Sequence, residues 1–168
     1  MIELDIRKAE PGDIDGILAI YNDEVKNGIA TLALEPMSRE DGLSWLAEHG
    51  EGHRCVYVGV SAADGTVAGY VSLSRFSWRG GYDRCAELSV YVAKPVRGQG
   101  AASQLMDFIL RRAREDPTLR AVVSIITSSN TASRNLHEKF GFRHVGTLKE
   151  AGWKFGIVLD VDYYEILV

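Results

Sequence analysis

The spacing of apolar residues changes several times along this chain, and each change marks an element. In "IELDIRKA" apolar and polar residues alternate, so residues 2–8 are predicted to form a strand. Ile14, Ile17, Leu18, Tyr21 and Val25 then recur at helical spacing. Pro11 and Asp13 suit the first turn of that helix, and Asn27-Gly28 ends it. "ATLALEP" is irregular. Ser38 with Asp41 three residues on resembles a capping box, opening a helix through about Glu48. "CVYVGV" and "VAGYVSLS" are strands joined by a hairpin signal, Ala63 to Thr66. Residues 75–84, "RFSWRGGYDR", form a loop, and "AELSVYVA" is the next strand. A helix runs from Gly98 or Gly100 to Arg114, with Ala101, Leu105, Phe108, Ile109 and Arg112 on one face. "AVVSII" is continuously apolar, which predicts a strand buried on both faces. Asn130 to Phe140 is helical with Gly141 as its terminator, and "HVGTL" and "IVLDVDYYEILV" are the closing strands. The order β-α-α-β-β-β-α-β-α-β-β predicts one mixed α/β domain over residues 1–168. Its sheet is mostly antiparallel, with at least one parallel crossing.

Composition narrows the class. Of 168 residues, 46% are hydrophobic and 25% charged, as in a soluble globular protein. No apolar run reaches membrane-spanning length, and "MIELDIRKAE" is unlike a signal peptide, so a cytoplasmic protein is expected. The net charge of -4, with no block of like charges, argues against nucleic acid or an anionic membrane as partner. Cys55 and Cys85 lack zinc or redox spacing and are expected to be free thiols, Cys55 in a buried strand. His49, His53, His137 and His144 form no metal-ligand pattern, so no metal is expected. The turn "EHGEGH" predicts that His49 and His53 are solvated.

"RGQGAASQLM", Arg97 to Met106, is the most specific stretch. Glycines at the mouth of a helix let an anion approach unpaired backbone N–H groups. Arg97 adds a charge and Gln99 an amide. The loop lacks the Lys-Ser/Thr of a phosphate-binding P-loop, and Ser103 stands where a dinucleotide fingerprint would place its third glycine. A ligand loop and a plain turn both remain open on these residues alone. In "NTASRNLHEKFGF", residues 130–142, Asn130 is a good N-cap. Ser133 and His137 share a helix face, which either lines a slot or is solvated.

Together, "VYVAKPVRGQGAASQLM" and "NTASRNLHEKFGF" resemble the two central motifs of the GNAT superfamily of N-acetyltransferases. The pattern Arg/Gln-x-x-Gly-x-Gly/Ala is met by Arg97, Gly100 and Ala102. The second pattern is met by Asn130, Ser133, Gly141 and Phe142, with His137 in the tyrosine place. "ILAIYNDEVKNGIAT", "AELSVYV", "NLHEKFGF" and "GWKFG" are similar to the phosphinothricin and methionine sulfoximine N-acetyltransferase-like branch, which carries that histidine. The resemblance implies a seven-stranded, mostly antiparallel mixed sheet, splayed at its fourth and fifth strands, with about four helices. It implies acetyl-CoA as co-substrate, no metal, a small-molecule amine as acceptor, and a homodimer. The pyrophosphate would meet Arg97, Gly98, Gln99, Gly100, Ala101 and Ala102. The pantetheine would follow Ser89, Val90, Tyr91 and Val92, with Asn130 and Ser133 on its other side.

Acetyl transfer to an ammonium requires a base, and Glu87, in an otherwise apolar strand, is the candidate. A solvent-facing strand residue is the alternative. The resemblance places the family's proposed base at Glu87 too. His137 can protonate the leaving thiolate, position a reactant, or serve the core. A strand N–H such as that of Val90 can stabilise the oxyanion. By resemblance, the acceptor side falls on Leu32, Phe76, Ser77, Trp78, Arg79 and Leu88, besides Glu87. There the chain departs from the branch pattern: Leu32, Ala33, Leu88, Ile157 and Val158 each replace a polar or aromatic residue. An acceptor less polar than phosphinothricin, or another amine, is therefore expected. A protein N-terminus as acceptor, and a non-catalytic acyl-CoA-binding domain, are the alternatives.

Overall fold

A computed structural model describes residues 1–168. Its strands are β1 (Leu4–Lys8), β2 (Cys55–Ser61), β3 (Val67–Arg75), β4 (Cys85–Val92), β5 (Ala121–Thr127), β6 (Arg143–Lys154) and β7 (Ile157–Leu167). Its helices are α1 (Ile14–Asn27), α2 (Arg39–Glu48), α3 (Ala101–Glu115) and α4 (Thr131–Lys139). The strands form a single sheet in the order β1-β2-β3-β4-β5-β7-β6. Only β4 and β5 are parallel, and α3 makes the crossing that a parallel pair requires.

That parallel pair is also the weakest seam. β4 and β5 pair at Cys85–Ala121, Ala86–Val122 and Glu87–Val123, and then part. On its other edge β4 stays paired with β3 out to Val92. Beyond Glu87, alternate peptide groups of β4 therefore face a gap. Two hydrogen bonds mark which ones: Ser124 Oγ donates to Leu88 O (3.2 Å) and Arg97 Nε to Val92 O (3.3 Å). By strand alternation, the peptide group of Val90 faces the same way.

The two sheet faces are covered unequally. α3 presses Leu105, Met106, Ile109 and Leu110 against Val71, Leu73, Leu88, Val122 and Ile126. On the opposite face, Ile17 and Ile20 of α1 pack on Val56, Val58 and Tyr70. Side-chain caps start two helices: Ser38 Oγ accepts from Asp41 N (3.1 Å), and Asn130 Oδ1 accepts from Ser133 N (3.2 Å).

Four sequence expectations need correction. Over Ala121 to Ile126, β5 is fully buried on one face only. Val122, Ser124 and Ile126 lie under α3 and α4, while Ile125 on the other face is exposed because α1 and α2 do not reach it. The buried face of α3 is turned toward Met106, Leu110 and Ala113, which leaves Arg112 exposed and paired with Glu115. β6 is far longer than "HVGTL". A bulge between Leu148 and Gly152 is fastened by Lys149 Nζ and Glu150 N to the Asp160 carboxylate, and the strand resumes to Lys154. The bulge interrupts the alternation that pattern reading relies on. His49 is not solvated but 6% exposed. Its Nδ1 lies 2.6 Å from Trp45 O and its Nε2 2.8 Å from Ser74 Oγ, so it is wedged between α2 and β3. His53 and Cys55 are partly buried.

Candidate active site

α3 begins without a capping side chain. Gly100 occupies the N-cap at φ 87° and Gly98 precedes it at φ 75°, both in the left-handed region that glycine enters freely. The amides of Gly98, Gly100, Ala101, Ala102 and Ser103 find no acceptor within the chain. Five free donors at a helix N-terminus form an anion site. They border a cleft of about 620 Å³ in the β4–β5 gap. β4 contributes Val90, Tyr91 and Val92, and α4 contributes Asn130, Ala132 and Ser133. The end of α1 and the residues after it, Asn27 to Ala30, complete the cleft.

Gln99 turns its amide back onto Pro95 O (3.0 Å) and away from the cleft. Ser89 lines both the neighbouring cavity and a small hollow in the splay beside Val90, Asn130 and His137. Arg97 lines the cleft, but its charge is already matched. Its Nη2 lies 2.5 Å from Oε1 of Glu24, which is only 5% exposed. Gly28 makes room for that carboxylate, because a Cβ there would fall 1.8 Å from Glu24 Oε2. Nothing in the local sequence marks Glu24. It looks like one more polar position on α1, and its partner is 73 residues away.

The second hollow, about 310 Å³, lies on the α1–α2 side of β4. Alternation points Glu87, Ser89 and Tyr91 into it, while Ala86 and Leu88 point to the α3 core. Tyr21, Thr31, Met37, Trp45, Tyr70 and Ser72 line it as well. Sequence reading missed all six. Tyr91 stacks on Tyr70 (5.3 Å) and meets Tyr21 edge-on (5.7 Å). Because Tyr91 lines both hollows, it joins the cavity to the cleft. Burial pushes the Glu87 carboxyl above its ordinary pKa, with no cation to pull it back.

His137 is 2% exposed, under the splay. Its Nδ1 lies 2.7 Å from Ser133 O and its Nε2 2.9 Å from Ser124 Oγ. A carbonyl only accepts, so Nδ1 carries the proton. Burial lowers the pKa of the ring and favours its neutral form. The one proton of Ser124 is then shared between His137 Nε2 and Leu88 O.

The residues expected on the acceptor side do not converge. Leu88 is in the core beneath α3, because strand alternation gives it the face opposite Glu87. Leu32 packs over Gly152, where a Cβ would meet its Cδ1 at 2.7 Å. Phe76, Ser77, Trp78 and Arg79 follow the end of β3, outside the Glu87 cavity. Trp78 is 82% exposed under the Arg75 guanidinium, and Phe76 packs on Tyr82. No group of three or more His, Cys, Asp or Glu side chains gathers as a metal site. No helix is long and apolar enough to cross a membrane.

The splayed sheet, the uncapped glycine loop and the carboxylate at the splay meet in one region. Residues 17–142 match the acetyltransferase (GNAT) family. The chain belongs to this family. It is an N-acetyltransferase, similar over nearly its whole length to named acetyltransferases. It is 34% identical to a phosphinothricin N-acetyltransferase of Streptomyces coelicolor, over 97% of this chain and 95% of the relative. It is 35% identical to the L-methionine sulfoximine/L-methionine sulfone acetyltransferase of Pseudomonas aeruginosa, over 96% and 92%. A phosphinothricin acetyltransferase from Sinorhizobium meliloti, solved with acetyl-CoA, superposes with a TM-score of 0.91 at 28% identity, covering 98% of this chain and 88% of that one.

Proposed function

We propose that this N-acetyltransferase moves the acetyl group of acetyl-CoA to the primary amine of a small molecule, with Glu87 as general base. The observation that carries this reading is the position of Glu87. It is the last β4 residue paired with β5, and its carboxylate sits in a cavity that Tyr91 joins to the anion-binding cleft. The five free amides of the glycine loop suit the cofactor's pyrophosphate. An ammonium entering the cavity gives its proton to Glu87, directly or through a water. The neutral nitrogen then attacks the thioester carbonyl, and the intermediate collapses as the C–S bond breaks and the nitrogen's extra proton passes to the departing CoA thiolate. The Val90 N–H, facing the gap, is placed to receive the developing oxyanion. His137 acts as a positioning group, fixing the Ser124 hydroxyl beneath the splay.

The relatives' names make phosphinothricin, methionine sulfoximine and methionine sulfone the first acceptors to assay. A thiol-release assay with acetyl-CoA and an amine panel tests the reading. Binding of acetyl-CoA with no amine turned over would end it, in favour of a non-catalytic acyl-CoA-binding domain. The loop has its own test. Gly100→Val places a branched residue at φ 87° with its Cβ about 3.2 Å from Met1 Cγ. Left-handed backbone disfavours such a residue by about 1–2 kcal/mol, so the Kd for acetyl-CoA should rise about tenfold by calorimetry.

Homodimer formation belongs to the same proposal. The β6–β7 hairpin exposes Leu148, Trp153, Phe155, Ile157 and Val158, apolar surface suited to a second copy. Two free thiols suit a cytoplasmic setting.

A further inference from the structure

The cavity beside Glu87 carries one negative group and no positive one. No lysine, arginine or histidine lines it. Three basic side chains of the surrounding shell are committed elsewhere. Lys154 Nζ donates to Glu24 O (3.0 Å) and Thr31 O (2.7 Å), behind the Thr31 backbone. His49 uses both ring nitrogens, on Trp45 O and on Ser74 Oγ. Arg75, at the end of β3, lies over Trp78 at 4.8 Å. The remaining surface is apolar or aromatic, from Ile17, Leu18, Met37, Trp45, Tyr70 and Tyr91, with scattered hydroxyls.

An acceptor's ammonium is therefore welcome here, facing Glu87 and aromatic rings. A carboxylate on the same small molecule is not. It would enter a confined space next to another carboxylate, with no cation to pair with. We infer that the acceptor is a carboxylate-free primary amine with a compact apolar or aryl body, such as an arylalkylamine, and not a free amino acid. The inference rests on the proposed function, because it assigns the substrate class of the same site. It departs from the amino-acid-type acceptors named for the relatives, in the direction in which Leu32, Ala33, Ile157 and Val158 also depart.

The test pairs molecules that differ only in the carboxylate. Acetyl-CoA-dependent thiol release is measured for 2-phenylethylamine, L-phenylalanine and L-phenylalanine methyl ester, and for 3-methylbutylamine against L-leucine. Each is also titrated calorimetrically into the full-length protein saturated with CoA, which reports binding without turnover. An unpaired buried carboxylate predicts roughly 10- to 100-fold weaker binding and lower kcat/KM for each amino acid than for its amine. The methyl ester, equally bulky but uncharged at that end, should bind like the amine. Met37→Arg places a cation at the cavity wall and should raise the amino-acid-to-amine ratio about tenfold by the same arithmetic. L-Phenylalanine matching or exceeding 2-phenylethylamine in binding overturns the inference, as does binding of neither. Loss of turnover for every acceptor, with the binding preference intact, would instead count against Glu87-based catalysis and leave the acceptor class standing.

Discussion

Glu87→Gln should lower kcat/KM for any accepted amine by about 10²–10⁴-fold while leaving acetyl-CoA binding unchanged. Glutamine keeps the shape of the side chain and its hydrogen-bonding reach but takes no proton. The cleft is built from other residues, so a Kd for acetyl-CoA within about twofold of wild type is expected. The pH profile separates a base from a structural glutamate. Burial raises the Glu87 pKa, and only the ionised form takes a proton. Activity should therefore fall as pH drops through that raised pKa, and the acidic limb should be missing from the residual rate of the variant. Stability runs the other way. A carboxyl whose folded pKa lies above its unfolded value contributes stability at low pH, and loses it as pH rises through the folded pKa. At neutral pH and above, Glu87→Gln should melt no lower than wild type. A variant that loses activity and also melts several degrees lower there would show a structural role instead of a base.

Lys154→Ala should cost about 3 kcal/mol of stability, the largest structural effect expected at a single site outside the hydrophobic core. Lys154 is 1% exposed, and its ammonium ties the end of β6 to the carbonyls of Glu24 and Thr31. Alanine leaves a hollow and strands the Thr31 carbonyl. Glu24 O is less affected, because it still accepts from Gly28 N (2.9 Å). For a chain of this length the melting temperature should drop by about 6–12 °C, measured by calorimetry. Lys154→Met, which refills the space without the hydrogen bonds, should recover part of the loss. Burial lowers the pKa of Lys154 in the folded state. Between that lowered value and the ordinary lysine value the unfolded chain binds more protons. Wild-type stability should rise with pH across that window, and the rise should vanish in either variant. An unchanged melting temperature in Lys154→Ala would contradict the geometry around Thr31. Because Thr31 also lines the Glu87 cavity, the surviving folded variant should show a raised KM for the amine.

Legibility in the sequence followed the range of the forces involved. Local signals read well: Ser38 and Asn130 as caps, Ala63 to Thr66 as a hairpin, the α3 period, and the uncapped glycine mouth with its spacing to Asn130. These depend on neighbours within one helical turn or one strand repeat. The misreadings came from longer range. "AVVSII" is apolar enough for burial on both faces, but which faces are covered depends on where α1 and α2 lie. The β6 bulge depends on Asp160, across the hairpin. His49 looked solvated because its Ser74 partner is 25 residues away.

The same division runs through the site. By itself the sequence carried the family motifs, the order of elements along the chain and the glycine loop, because each is written in residues adjacent along the chain. Only the tertiary structure decided what surrounds the Glu87 carboxylate. It brought Tyr21 from α1, Trp45 from α2, Tyr70 from β3 and Tyr91 from β4 to one cavity, and set Lys154 and Glu24 behind its wall. It also turned Leu88 into the core and left Phe76 to Arg79 outside. The physical reason is the two-residue repeat of a strand: one step along β4 moves a side chain from the Glu87 cavity to the opposite face of the sheet.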